Sequence, residues 1–466
     1  MGEVTRLGSE MLVGGEINTH RPHTLGVNEA ASSENLDPRD WQGAKTRNGR
    51  EQYGISNGSN TGVHGLKAWT RDAATTFVIS RIATTFYDVS GAAWASIGIG
   101  GASGSKFRAA ALNNILAIVV DDLAPRKYNG TTLATLGGSP PAEAKYAAVY
   151  VSKLILAGDD ANPQTIYGSA TNNPEDFTTA NDAFDVTASD GGGDNIRGLC
   201  AARNWLNIFY RNFTDILLGS STFDFRVERL MDKGLVSETG CVGTGDVVFF
   251  ASDEAVYMVA RGMASDVTTL KQREWYQGIS DKTKITLLLK GDLLLIVDYG
   301  SDTARAYDYK NGRFAPWTSQ PWGCGDTAND QTMYAGTDTG STAQIWKLDT
   351  GSLDGSTAVS AMWRTPDFAF GWPDSVKNMS GFRVLAKPGM PAATVQFYQN
   401  GASVGSTLGL TFGTTGNEDW QRISRRNDVR GQYLGAKISW AGQGILLGFA
   451  MYGELTTDQG SIPGEV

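Results

Sequence analysis

The sequence predicts an all-β protein whose middle is a β-propeller. Three observations carry that expectation: a strand pair that recurs seven times, a composition suited to tight turns, and the lack of any sustained helical pattern. The recurring pair is a short apolar strand, a polar turn and a second strand that closes on an aromatic. Its copies run Phe77-Val78-Ile79 to Tyr87, Ile115-Leu116-Ala117-Ile118 to Tyr128, Leu154-Ile155-Leu156 to Tyr167, Leu206-Asn207-Ile208-Phe209 to Leu217, Val247-Val248-Phe249-Phe250 to Tyr257, Leu293-Leu294-Leu295-Ile296 to Tyr307, and Met333-Tyr334-Ala335 to Trp346. The first residues are spaced 38, 39, 52, 41, 46 and 40 apart, the period of a propeller blade, whose single sheet cannot bury both faces alone. Seven blades are expected. The fourth copy closes on Leu217 rather than an aromatic, which keeps six or eight open as alternatives.

Composition agrees. The chain has 57 glycines and 10 % aromatic residues, which suits short strands joined by turns with positive φ. The best helical candidate is brief, Asn28 to Asn35. Residues 1–63 carry little apolar periodicity and are expected to form an extended arm that lies along other surfaces. The propeller is expected over 64–355. From 356 the period gives way to longer alternating strands: Val359 to Trp363, Phe382 to Leu385, Thr394 to Tyr398, Tyr433 to Ile438 and Leu446 to Tyr452. Gln399-Asn400-Gly401 is hairpin chemistry, because Asn-Gly accepts positive φ at both turn positions. A β-sandwich is therefore expected over 356–457, with a loose tail over 458–466.

The three cysteines, Cys200, Cys241 and Cys324, have neither metal-site spacing nor an even count for a disulfide framework, so buried thiols made in a reducing compartment are expected. No secretion signal opens the chain, and no apolar run is long enough to cross a membrane. The formal net charge of −9 disfavours nucleic-acid reading, so any DNA contact would be that of a conduit wall. One basic cluster, Arg422, Arg425, Arg426 and Arg430, is a candidate subunit interface, although such charges are more commonly a solvated loop. Trp317, Trp322 and Trp372 are candidate exposed aromatics, with core packing the commoner fate of such residues.

Catalytic constellations are not found, and the expectation is a protein that is not an enzyme and holds no metal or cofactor. His20, His23 and His64 all precede the first repeat, so a serine–histidine–acid triad lacks a histidine placed to reach a nucleophile in the propeller. Gly100-Gly101-Ala102-Ser103-Gly104-Ser105-Lys106-Phe107 departs from a phosphate loop at Ser105 and Phe107 and is better read as a glycine-rich hairpin. His20 and His23 alone make a weak metal pair. The run from Asp190 to Asn195 lacks the spacing of a calcium loop. In Asp121-Asp122 and Asp159-Asp160, strand neighbours point to opposite faces, which argues against an acid/base couple. The repeated turns of sugar-cleaving propellers and the WD dipeptide are both missing.

A resemblance adds to this reading. Gly14-Gly15-Glu16-Ile17-Asn18, Asn28-Glu29-Ala30, Asn35 and Arg47-Asn48-Gly49 resemble the start of tail-tube and packaged-DNA-stabilisation proteins of short-tailed bacteriophages. Two further stretches are similar to that family: Tyr167-Gly168-Ser169 with Asn173-Pro174-Glu175-Asp176-Phe177, and Gly234-Leu235-Val236-Ser237 with Gly245 to Tyr257, where Glu254 and Ala255 replace the usual glycine. The resemblance implies a structural virion protein, made in the host cytoplasm. It implies a ring of six copies below the portal and its adaptor, which lines or seals the DNA exit channel and anchors fibres or spikes. The alternative is a carbohydrate- or protein-binding propeller, and a glycan-cleaving enzyme is the more remote reading.

Overall fold

The computed structural model describes residues 4–9, 25, 29–58, 61–72, 75–91, 93–187, 194–268, 272–338, 342–371, 373–413, 419–423 and 426–455. It is an all-β protein, with one short helix, Arg273–Gly278, and a turn of 3-10 helix, Lys282–Lys284, among the described residues. Seven sheets follow one another along the chain; the first six are four-stranded and antiparallel, with strands that pair in sequence order, as blade strands do. The first strands of these sheets are Val63–Arg71, Arg108–Leu112, Tyr146–Tyr150, Gly198–Ala201, Cys241–Gly243, Ile285–Lys290 and Trp322–Thr327. Each contacts the first strand of the next sheet, and the last returns to the first, so they close a ring around a central channel.

The seven apolar runs occupy the second strand of each sheet, and the closing aromatics, or Leu217, the third. A second strand is covered on both faces by neighbouring sheets, so it reads as a continuous apolar run rather than an alternation. Lys153–Asp159 and Leu293–Asp298 are buried at every residue. Closing aromatics fill the space between sheets: Tyr128 of the second sheet meets Phe77 of the first edge-on at 6.0 Å. Each sheet thus starts one strand before the recurring unit. Some of those first strands escape the pattern because they converge on the channel and use small residues, as in Arg108-Ala109-Ala110-Ala111-Leu112, whereas Ile285–Lys290 is itself a buried apolar run.

The seventh sheet is closed from the other end of the chain. Its fourth strand is Arg50–Tyr53, antiparallel to Ile345–Leu348, with Tyr53 opposite Ile345 and Arg50 opposite Leu348. Two further sheets share one hydrophobic core. One orders Val4–Ser9, Ile445–Leu455, Lys377–Ala386 and Asp419–Ile423. The other orders Ser32–Glu34, Ser360–Arg364, Leu434–Ala441, Ala393–Gln399 and Ala402–Leu410. Phe382 of the first meets Phe397 of the second edge-on at 5.6 Å. Asn400 and Gly401, at φ 48° and 85°, make the two-residue hairpin turn the sequence predicts.

The helix expected from Asn28 to Asn35 is not formed. Ser32–Glu34 is instead a strand against Ser360–Arg364, and Asn35 turns the chain at φ 54°. Serine and asparagine gain more from local side-chain hydrogen bonds than from a helix interior. Asn28 and the tail 458–466 lie outside the described residues.

Candidate functional site: the arm clasp and the channel mouth

Two places concentrate polar side chains with specific geometry. The first is where residues 35–50 cross the seam between the ring of seven sheets and the C-terminal pair. Asn35 sits at its centre: Nδ2 donates to Thr318 Oγ1 and Ser360 O, both at 2.9 Å, and Oδ1 accepts from Thr318 N and Arg47 Nε, both at 3.0 Å. Arg47, 2 % exposed, grips Asp354 with two parallel bonds of 2.9 and 2.6 Å and lies over the Trp317 ring at 5.2 Å. A planar guanidinium fits a carboxylate in this fork, and a lysine would not. Asn48 Nδ2 donates to Asp349 Oδ1 at 2.9 Å. Gly49 runs so close that a Cβ there would fall 2.0 Å from Leu353 O.

Asp349 is the second anchor. Arg39 binds it at 2.8 and 3.0 Å, and Lys290 at 3.0 Å. Burial by itself would push the Asp349 carboxyl up, but Arg39 and Lys290 together hold it below the usual carboxylate range. Arg50 then lies over Trp322 and Trp346 at 5.0 and 5.1 Å.

This arrangement corrects the expectation of exposed aromatics. Trp317 and Trp322 are 2 % and 0 % exposed, because the arm passes over them. Trp317 Nε1 donates to Leu36 O at 2.7 Å, and Trp322 Nε1 to Gln320 Oε1 at 2.7 Å. Both lie on strands, Arg313–Thr318 and Trp322–Thr327. Trp372 lies outside the described residues.

The second place is the channel mouth, where the first strands begin. Arg108 of the second sheet reaches Glu238, just before the fifth, at 2.8 Å and lies over the Tyr146 ring at 4.5 Å. Lys106 Nζ donates to Tyr299 Oη and Gly323 O, both at 3.0 Å, tying the second sheet to the sixth and seventh. A cleft of about 250 Å³ beside this lacing is lined by Asp121, Lys145, Tyr146, Asp160, Arg197 and Glu238, among others. Burial pushes the Asp121 carboxyl up, partly offset by Arg108. Lys145 pairs with Asp160 at 2.6 Å. With Glu238 and Asp160 each neutralised by a cation, the cleft offers fixed paired charges suited to hydrogen-bonding a polar surface. Sequence reasoning missed it because four sheets contribute. The one available signal was the charge that recurs just before or at the first strands, in Arg108, Lys145, Arg197 and Glu238.

The remaining sequence candidates separate. Gly100 to Ser105 wraps its carbonyls around a cation: Arg81 donates to Gly100 O at 3.1 Å, Ala102 O at 2.7 Å and Ser105 O. That is the opposite polarity to a phosphate cradle. His64 lies on the first strand of the first sheet, its imidazole held below its ordinary pKa by burial. His20, His23 and residues 190–193 lie outside the described residues. Arg422 and Arg430 are exposed on Asp419–Ile423 and Arg426–Gly431, strands that pair one after the other with the edge of Lys377–Ala386, where Arg426 also lies. Arg425 lies outside the described residues. Among the described residues, no three or more histidines, cysteines or acids cluster as metal ligands, and no helix is long and apolar enough to cross a membrane.

No known protein-family pattern matches the chain, and no curated protein matches it. Solved structures align with 64 % of it. They include the Pan2 WD40 domain of Neurospora crassa, at 9 % identity over 95 % of that chain with a TM-score of 0.43. Another is YCF48 bound to D1 peptide, at 8 % identity over 95 % of that chain with a TM-score of 0.41. An extracellular domain ascribed to a hybrid two-component system of B. thetaiotaomicron aligns at 12 % identity and a TM-score of 0.44, with the match spanning 39 % of that chain.

Proposed function

We propose that this chain is an assembly protein: a β-propeller held rigidly to a second β unit, which binds protein partners rather than turning over a substrate. The arm carries the reading. Through Arg39, Arg47 and Arg50 it grips Asp349, Asp354, Trp317, Trp322 and Trp346 of the ring, while Ser32–Glu34 and Ala44–Lys45 pair with strands of the C-terminal sheets, so one segment fastens the two units together, the arrangement of a part that must hold a partner at a set angle. Paired charges at the channel mouth suit recognition of a polar protein surface. Glycan binding is the other outcome open to that cleft.

A structural role in a phage tail is the specific form of the proposal, and one observation favours it. Four of the residues that carry the resemblance, Asn35, Arg47, Asn48 and Gly49, take part in the clasp. In this form copies of the chain associate in a ring, sixfold, with the portal adaptor and fibre or spike proteins as neighbours. In this form DNA passes through the lumen between copies and not through one subunit, whose own channel is lined by seven first strands that touch one another in a closed ring. A closed ring needs two different complementary faces on each subunit, and the edge bearing Arg422 and Arg430 is the candidate for one.

The test is the molar mass of the purified full chain by light scattering across a concentration series, with imaging of its source particle. A ring, or density for the chain in a tail, supports the proposal. A chain that stays monomeric, is found on no particle and binds glycans on an array overturns it in favour of a carbohydrate-binding propeller.

A further inference from the structure

Cys200 and Cys241 lie on adjoining first strands, Gly198–Ala201 and Cys241–Gly243, and both line the central channel. The two strands touch, and the thiols interact across them. Glycines leave room for the sulfurs: a Cβ on Gly243 would fall 2.9 Å from Cys200 Sγ, and one on Gly198 would fall 3.8 Å from Cys241 Sγ. Both cysteines are partly exposed, whereas Cys324 is buried and donates to Val63 O at 3.3 Å.

We propose that Cys200 and Cys241 form a reactive dithiol, a modification site that a peroxide converts to a disulfide stapling the fourth sheet to the fifth. Interaction with Cys200 and the nearby charge of Arg108 hold the Cys241 thiol below its ordinary value, while interaction with Cys241 and burial push Cys200 up. Cys241 is therefore the attacking thiolate. It attacks a peroxide oxygen, the O–O bond breaks, and Cys241 becomes a sulfenic acid as hydroxide leaves. The Cys200 sulfur then attacks Cys241 Sγ: the S–S bond forms, the S–O bond breaks, and the released hydroxide takes up the Cys200 proton as water. Overall two thiols and one hydrogen peroxide give one disulfide and two waters. Burial pushes the Cys324 thiol up to about 12, which keeps it out of this chemistry.

The experiment treats the reduced full chain with dilute hydrogen peroxide and follows free thiols and intact mass, with peptide mapping. Two of the three thiols should disappear together, with the mass falling by two hydrogens and Cys200 joined to Cys241 in one peptide pair. Cys241→Ser should slow thiol loss about tenfold. Cys200→Ser should leave Cys241 as a trappable sulfenic acid. Loss of one thiol alone, a disulfide only between molecules, or three thiols intact in the wild-type chain overturns the proposal, and that readout needs no variant to fold.

Discussion

At the scale of single residues, Arg47 and Asp349 hold most of the clasp. Replacing Arg47 with alanine leaves the half-buried Asp354 carboxylate without its two-bond partner and takes from Asn35 Oδ1 one of its two donors, Thr318 N remaining. The expected cost is about 3–5 kcal/mol, as for breaking one side of a buried pair. Lysine should recover less than half of it, since it cannot make the fork. Denaturant unfolding of the two variants checks this, and an alanine variant within error of wild type would remove Arg47 from the clasp. Asp349 gives a pH signature. Its folded pKa is depressed, so its contribution is present above the unfolded value of about 3.9 and is lost as pH falls through the lower folded value. The stability difference between wild type and Asp349→Asn should be flat above about pH 5 and shrink below about pH 4. A difference that holds unchanged down to pH 3 would mean that Arg39 and Lys290 do not act through its charge.

At the scale of elements, the strand Arg50–Tyr53 closes the seventh sheet, and Gly49 is the close approach that lets it dock. Gly49→Ala forces a Cβ against Leu353 O, so the strand must shift or detach. We expect Trp322 and Trp346, which lie under Arg50, to become solvated. A red shift in tryptophan emission with loss of amide protection over 345–348 would report it. Unchanged protection there would show that the sheet closes without this contact. The hairpin at Asn400-Gly401 gives a smaller effect: Gly401→Ala, at φ 85°, should cost about 1 kcal/mol with no change elsewhere. This turn was legible in two residues. The first strands of the sheets were not, because Gly198-Leu199-Cys200-Ala201 carries neither an apolar run nor an alternation long enough to count.

At the scale of the whole molecule, the prediction concerns association. Replacing Arg422, Arg425, Arg426 and Arg430 with alanine should leave folding stability within about 1 kcal/mol, since exposed charge seldom carries stability. Self-association or particle incorporation should weaken by at least about tenfold, roughly 1.4 kcal/mol. Sedimentation of the variant beside wild type reads both. Normal assembly would take this edge out of the interface.

The periodic part of this protein was written locally: each second strand is sandwiched between neighbouring sheets, so burial on both faces forces a run such as Leu293-Leu294-Leu295-Ile296 wherever a sheet recurs. Turn chemistry was local for the same reason, since φ at Asn400 and Gly401 depends on those residues. The destination of the arm, the burial of Trp317 and Trp322 beneath it, and the meeting of Arg108 with Glu238 were decided only by tertiary structure. Asn35 and Thr318 are 283 residues apart, and Arg47 and Asp354 307. A polar residue's worth there depends on which partner the closed ring brings to it, and no local pattern encodes that partner.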